Sequence, residues 1–449
     1  MNRKFIIALL LISCITLARA QGLFETAAKT DASTSDQPFI FNGYVRGSVF
    51  GGTENFDYSS IFGEFSLQSH LKKDHLFLHS DIRFRSGTFF NEQLTSLEIK
   101  ETYAGLKTEI IDVFLGEQII SWGRTDGFNP TNNITPNNYF FLSANPDDQK
   151  LPNFMLRTNF RLTPVINWEI IGIPIFRPSN YRYNLLKMGE NVSFAEASAP
   201  EINFKNGSLA TRLNFEYSRL GFSLSWFNGY DPFYGFDIKN IDFSTGVPVI
   251  TNVANYYRKN TIGFDFSLPV GTWILRGETA ANLPEDNANK IYIPNSDLAY
   301  VVALEHDFKG FQTIFQYIGK YTLDFKDLVQ PVLTDPTNPM SQMEYAQGTI
   351  RYESALFNRK IFHQQEAYNH ALSLIIVKSF NYETFNLELA GYYDLTSEEY
   401  MIRPTLNWNL SGSLKATLGY ALMDGPDQSI FNYSSPVMSG GFIELKASF

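Results

Sequence analysis

The sequence predicts an all-β protein, a closed antiparallel transmembrane β-barrel of about 18 strands, with 16 as the alternative count. Three observations carry this. From Phe39 onward, apolar and polar residues alternate in runs of about ten, the period-2 pattern of a strand with one apolar face. Tight turns and longer polar loops join these runs in turn, so short links fall at alternate junctions. The last run, in which Ile443, Leu445, Ala447 and Phe449 alternate with Glu444, Lys446 and Ser448, stops on an aromatic residue.

Composition narrows the class in the same direction. Apolar residues make up 44% of the chain and aromatics 15%, yet the mean hydropathy is only −0.16. That is too polar for a bundle of membrane helices. The 40 Phe and 24 Tyr are nonetheless many for a soluble domain. A barrel reconciles the two, because its outer face is apolar, its rims are aromatic, and every second residue faces water.

At the N-terminus, residues 1–20 read as a signal peptide. Arg3 and Lys4 precede the apolar stretch from Phe5 to Leu17, and Ala18-Arg19-Ala20 offers a cleavage site before Gln21. Leu11-Ile12-Ser13-Cys14 also resembles a lipobox, so lipidation of Cys14 is the competing reading. Residues 21–37 are expected as a short periplasmic segment and 38–449 as the barrel. Removal of Arg3, Lys4 and Arg19 leaves 33 basic against 46 acidic residues, a net charge of −13, which argues against nucleic acid as a partner.

Along the chain, Ile61, Phe65, Leu67 and Leu71 share one face and Glu64, Ser66, Gln68 and His70 the other. Leu76, Leu78, Ile82 and Phe84 likewise oppose His79, Asp81, Arg83 and Arg85. Phe154, Leu156, Phe160 and Leu162 oppose Arg157, Asn159 and Arg161. Ile402 and Trp408 flank Pro404, which removes one ladder hydrogen bond. Short turns are expected at Lys73-Asp74, Thr108-Glu109, Thr163-Pro164, Leu220-Gly221, Val270-Gly271, Lys309-Gly310, Asn381-Tyr382 and Ser411-Gly412. Long polar links follow at 121–150, 177–207, 231–256 and 326–363. Short turns at one end and long loops at the other are the asymmetry of a barrel with a periplasmic and an exterior side.

This register points charged residues of both signs inward. Arg46, Lys100, Arg212, Arg276, Arg403, Lys415 and Lys446 are among the bases, and Glu64, Asp81, Glu98, Glu169, Asp265, Glu278 and Glu444 among the acids. Arg83, Arg85, Arg157 and Arg161 stand out as four charges of one sign, expected to form one side of a constriction. The segment 121–150 follows the fifth strand, is rich in Asn and Pro, and is too long for a simple hairpin. It is expected to fold into the lumen and face those arginines. Its Asp126, Asp147 and Asp148 either meet them or bind Ca²⁺ outside the cell. Trp122 belongs either to the lumen or to the outer aromatic girdle.

The segment opens with Gly116, Gln118, Trp122 and Gly123 in the pattern G-x-Q-x-x-x-W-G-x-x-D, followed by Asn129-Pro130. Downstream come Arg212 in Asn206–Leu213 and the run Ser223 to Pro232 containing Gly229-Tyr230-Asp231. Together these resemble poorly characterised porin-like outer-membrane proteins of Gram-negative bacteria. Glu117 departs from the pattern, where a residue such as Arg is expected before the Gln. The strand ending in Phe449 is similar to the signature read by the outer-membrane barrel assembly machinery. The resemblance implies an outer-membrane channel for small polar or charged solutes, surrounded by lipid and lipopolysaccharide, with a homo-oligomer as an option and no substrate specified.

A channel for hydrophobic substrates of the fatty-acid-transporter type is the first rival, although only residues 21–37 are available as a plug. An enzyme is the second. His70, His75, His79, His306, His363 and His370 show no catalytic or metal-ligand spacing, so no cofactor and no metal are expected.

Overall fold

The structure, a computed structural model, describes residues 39–52, 59–186, 188–197, 199–244, 246–286 and 290–449. The expected signal peptide at 1–20, Cys14 and the segment 21–37 lie outside the described residues.

Eighteen strands form one antiparallel sheet, each paired with its neighbours in the chain. The first, Phe39–Gly52, pairs with the second, Ser60–Lys73, and also with the last, Gly440–Ser448. The sheet therefore has no free edge. Closure is what a spanning sheet needs, because lipid offers nothing to an unpaired N–H or C=O. The ladder ends where Phe449 and Gly43 exchange both backbone hydrogen bonds, at 2.9 and 3.0 Å. The Phe449 ring lies over Gly43, where a Cβ would be 2.5 Å from it, and stacks on Phe65 at 6.0 Å.

The two faces follow the predicted alternation. Ile61, Phe65, Leu67, Leu76, Ile82, Phe84, Leu97 and Ile443 stand on the exposed outer face. Glu64, Ser66, Asp81, Arg83, Arg85 and Glu444 are buried inside. The outer face is an apolar surface that water would disfavour and hydrocarbon accepts. Among the described residues no helix is long and apolar enough to cross a membrane.

The links depart from expectation in several places, and the turns expected at Lys73-Asp74, Thr163-Pro164 and Val270-Gly271 sit one residue later, at Asp74-His75, Pro164-Val165 and Gly271-Thr272. Between the strands Ser208–Tyr217 and Leu220–Tyr230 the turn is Ser218-Arg219, since Leu220 already pairs with Tyr217. On the long-loop side, the strands Leu76–Phe89 and Glu92–Lys107 are joined by Phe90-Asn91 alone, with φ of 48° and 65°. Left-handed backbone is unusual for Phe. Phe90 is buried beneath Phe140, with ring centroids 6.2 Å apart, which offsets that strain. The stretch 326–363 contributes no strand to the wall. It carries the helix Pro339–Ile361, capped by Asn338 and begun by a proline.

The loops on this side build a cap. Gly235–Asp242, Val249–Asn255 and Val192–Ala195 form a small separate sheet, and Asn358 of the helix exchanges hydrogen bonds with the backbone of Phe236. Phe140, Phe141, Leu186, Tyr234, Phe236 and Phe357 pack with Phe50, Phe62 and Phe89 of the wall into one apolar core. Pro404 has the effect expected of it. Its strand, Tyr400–Asn409, pairs with Leu414–Asp424 on both sides of Arg403-Pro404 and skips those two residues.

Candidate functional site

The fifth strand, Ile111–Gln118, ends at the segment 119–152, which lies against the inside of the wall. Gly116 pairs with Tyr103 and Met155 two residues before the strand ends. Its φ is 140°, and a Cβ there would sit 2.3 Å from the carbonyl of Thr102, so only glycine fits. Gln118 is buried and donates to the Met155 carbonyl at 3.2 Å. Trp122 belongs to the lumen side. It is 2% exposed, packs with Ile120, Ile134, Met155, Ile171 and Phe227, and donates to Glu169 at 2.8 Å.

The next residues are fixed by a single carboxylate. Glu278 is 3% exposed and accepts from five uncharged groups of the loop. These are the backbone N–H groups of Arg124 at 2.5 Å and Thr125 at 2.6 Å, the hydroxyls of Thr125 at 2.7 Å and Thr131 at 3.0 Å, and the Asn129 amide at 2.9 Å. Gly123 permits this approach, because with φ 113° a Cβ would lie 2.5 Å from both the Glu278 carboxylate and the Asn129 amide. Gly123 and Asn129 thus belong to a cradle for Glu278, whereas Trp122 just before them holds a second acid, Glu169. Around Glu278, Arg124 bridges Asp265 at 2.7 Å and Glu216 at 2.5 Å, while Arg212 reaches Asp265 at 2.9 Å. Asp126 pairs with Arg276 at 2.6 Å. Burial, with Glu305 adding to it, holds the Asp126 carboxyl above the usual range although Arg276 opposes this.

The far end of the loop docks on the opposite wall. Asp148 pairs with Arg46 at 2.6 Å and Arg83 at 3.0 Å and accepts from Ser143 at 2.9 Å. Lys100 donates to the Asp148 and Lys150 carbonyls, and Arg403 to that of Ala144 at 2.8 Å. Burial alone would raise the Asp148 carboxyl. The two guanidiniums outweigh it and bring it down to about 2.

The four arginines singled out above do not present a field of one sign. Arg83 pairs with Asp81 and Asp148, and Arg85 with Glu64 at 2.5 Å and Glu98 at 3.0 Å. Arg157 pairs with Glu169 at 2.5 Å, and Arg161 with Asp112 at 2.6 Å near the turn at Thr108. Of these, only Arg83 has an ion pair with the loop. Asp147 instead pairs with Lys150 at 2.9 Å. Among the described residues no group of three or more His, Cys, Asp or Glu is arranged to hold a metal ion. The residues that matter most and were not singled out are Glu278, Asp265 and Arg124. Alternation had placed both acids inward, and Arg124 stands inside the motif.

Beside the loop a cavity of about 350 Å³ remains, between its tip (Phe128, Asn129, Pro130) and the wall strands from Arg258–Val270 to Phe385–Asp394. Phe128 stacks on Tyr392 at 5.2 Å along its border.

A closed barrel of eighteen antiparallel strands, with a long loop folded inside the wall, has the fold of the outer-membrane porins, which are channels. No family model and no curated protein matches the sequence. Among solved structures, OpdK of Pseudomonas aeruginosa, crystallised with vanillate, is similar at a TM-score of 0.54 with 10% identity, over 92% of this chain and 98% of that one. A BenF-like porin from Pseudomonas fluorescens Pf-5 gives 0.53 with 9% identity, over 92% and 97%. OccAB4 of Acinetobacter baumannii gives 0.51 with 10% identity, over 92% and 98%.

Proposed function

We propose that this chain is an outer-membrane porin that lets small polar or charged solutes pass passively through a lumen narrowed by the segment 119–152. The observation that carries the reading is the double attachment of that segment. Its tip is bonded to Glu278 and Asp265 and its far end to Arg46 and Arg83, so it crosses the lumen and leaves a cavity at its side. Roughly eighteen strands enclose a channel wider than side chains alone can fill, so an inward loop sets the aperture. OpdK was crystallised with vanillate, and from it we carry over only the expectation of a small organic solute.

The outer face then contacts lipid and lipopolysaccharide. The exchange of hydrogen bonds between Phe449 and Gly43 gives the assembly machinery a terminal strand to close. An enzymatic role has less support, since His70 and His306 lie apart from the cavity and the two histidines that line it, His363 and His370, are held by Asp394 and Tyr317. His70 faces His79, His306 stacks on Trp273, and His363 faces Asp394.

Planar-bilayer recording tests the reading. The full chain should give stable single-channel steps in potassium chloride, and replacing 123–147 by a short Gly-Ser linker should raise the conductance about twofold or more. A non-conducting parent protein would refute it.

A further inference from the structure

We infer that the cavity beside the loop takes an uncharged, polyhydroxylated ring about the size of one hexose, a refinement that rests on the channel reading above. Its volume of about 350 Å³ lies at the small end of ligand sites. Its wall has two characters. Phe128, Pro130, Val301, Ile318 and Ala371 are apolar, whereas Asn282 and Asn369 present amides.

The charges decide the solute. Four side chains able to carry positive charge line the space; His370 is held by the Tyr317 hydroxyl at 2.6 Å, and each of the other three faces a carboxylate. Lys259 pairs with Asp231 at 2.7 Å, Lys320 with Asp297 at 3.6 Å and His363 with Asp394 at 3.6 Å. Asp297 is 4% exposed and also accepts from Asn282 at 2.8 Å and Gln364 at 2.9 Å. Asp394 is 3% exposed and accepts from two backbone N–H groups and the Tyr392 hydroxyl. An anionic solute gives up its hydration on entering and needs a cation in return. Here it would have to take one from a buried carboxylate, leaving that acid uncompensated, a strongly unfavourable exchange.

An uncharged ring meets no such barrier. Its faces fit the apolar lining, and its hydroxyls meet the polar edge. Asn369 is 4% exposed, and its Oδ1 has no hydrogen-bond partner among the described residues while its amide nitrogen donates to the Glu366 carbonyl. A buried acceptor without a donor is costly, and the Asn369 Oδ1 meets a hydroxyl of the solute once its side chain turns toward the cavity it lines.

The test uses the full chain in liposomes and two solutes that differ by one carboxylate, glucose and potassium glucuronate. Valinomycin is added so that potassium can follow the anion. Glucose should drive swelling about tenfold faster than glucuronate, and equal rates or faster glucuronate entry would overturn the inference. In the variant Asp297→Asn, Lys320 loses its carboxylate and the ratio should fall toward one. If that variant does not fold by heat-modifiability on gels, Asp231→Asn makes the same change at Lys259. A ratio that stays at the parent value in a folded variant also overturns the inference. Potassium chloride currents separate the two readings. Currents together with indifferent solute entry remove only the hexose inference, whereas no current and no swelling remove the channel itself.

Discussion

The two sides of the lumen are built from different chemistry, although both obey the same strand alternation. Between the first strands and the last, the inner face is ionic. Arg46, Glu64, Arg83, Arg85 and Glu444 are all under 10% exposed and interlock through ion pairs as short as 2.5 Å. Across the lumen, in the strands from Asp297–Phe308 to Phe385–Asp394, the loop-side ends carry charge at Asp297, Lys320 and Asp394, and other inward positions hold Ala299, Val301, Ala303, Gln316, Asn369, Ala371 and Ser373. The ionic side is filled, because Asp148 of the loop completes its charge. The other side is where the cavity remains. A wall of long paired side chains closes on a loop that brings a counter-charge, whereas small and amide side chains leave room.

That contrast can be broken most directly at Glu278. Replacing it with Ala would strip five loop donors of their acceptor, at about 1–3 kcal/mol for each group left unsatisfied. The tip should detach, giving larger and noisier single-channel currents. Glu278→Gln, which keeps the shape, should act in the same direction but less strongly. Currents identical to the parent in both variants would show that the tip is held by Arg124 and Trp122 instead.

A smaller effect is expected on the ionic side. Arg83→Ala with Arg85→Ala leaves Asp81, Asp148 and Glu64 short of counter-charge, so the reversal potential in a salt gradient should move toward cation preference. The shift should be limited, since Arg46 still holds Asp148 and Glu64. No shift would mean that the passage does not sense this side.

The pH response should be smaller again. The carboxyl of Asp148 is depressed to about 2, below the ordinary value of 3.8. Its contribution is therefore fully present above that ordinary value and is lost only as pH falls through about 2. The Asp148 attachment should hold from neutral pH down to about 4, and any earlier change in conductance on acidification should come from Asp126, whose carboxyl burial holds above the ordinary value. A sharp change near pH 6 would place control on a histidine. The mildest effect expected is on assembly. Deleting Phe449 removes its stacking on Phe65 and both bonds to Gly43. The heat-modifiable folded fraction should fall, with channel properties unchanged in the barrels that do form.

By itself the sequence determined the strands, their two faces and the closure. The period of two is a local property, and an outer face turned to hydrocarbon imposes it on strand after strand. Gly116, Trp122, Gly123 and Asn129 were legible as a motif through their resemblance to porin-like proteins, and the two glycines have a local reason, since backbone at φ 140° and 113° restricts residue choice. What the motif holds was not legible. Glu278 lies more than 140 residues away from Thr131, and nothing near either residue marks their meeting. The four arginines failed as a cluster on the same ground. Alternation says that Arg83, Arg85, Arg157 and Arg161 point inward, but each one's carboxylate partner is set by strand register and by where the loop crosses. Only the closed barrel decided which charges cancel and which side of the lumen was left open.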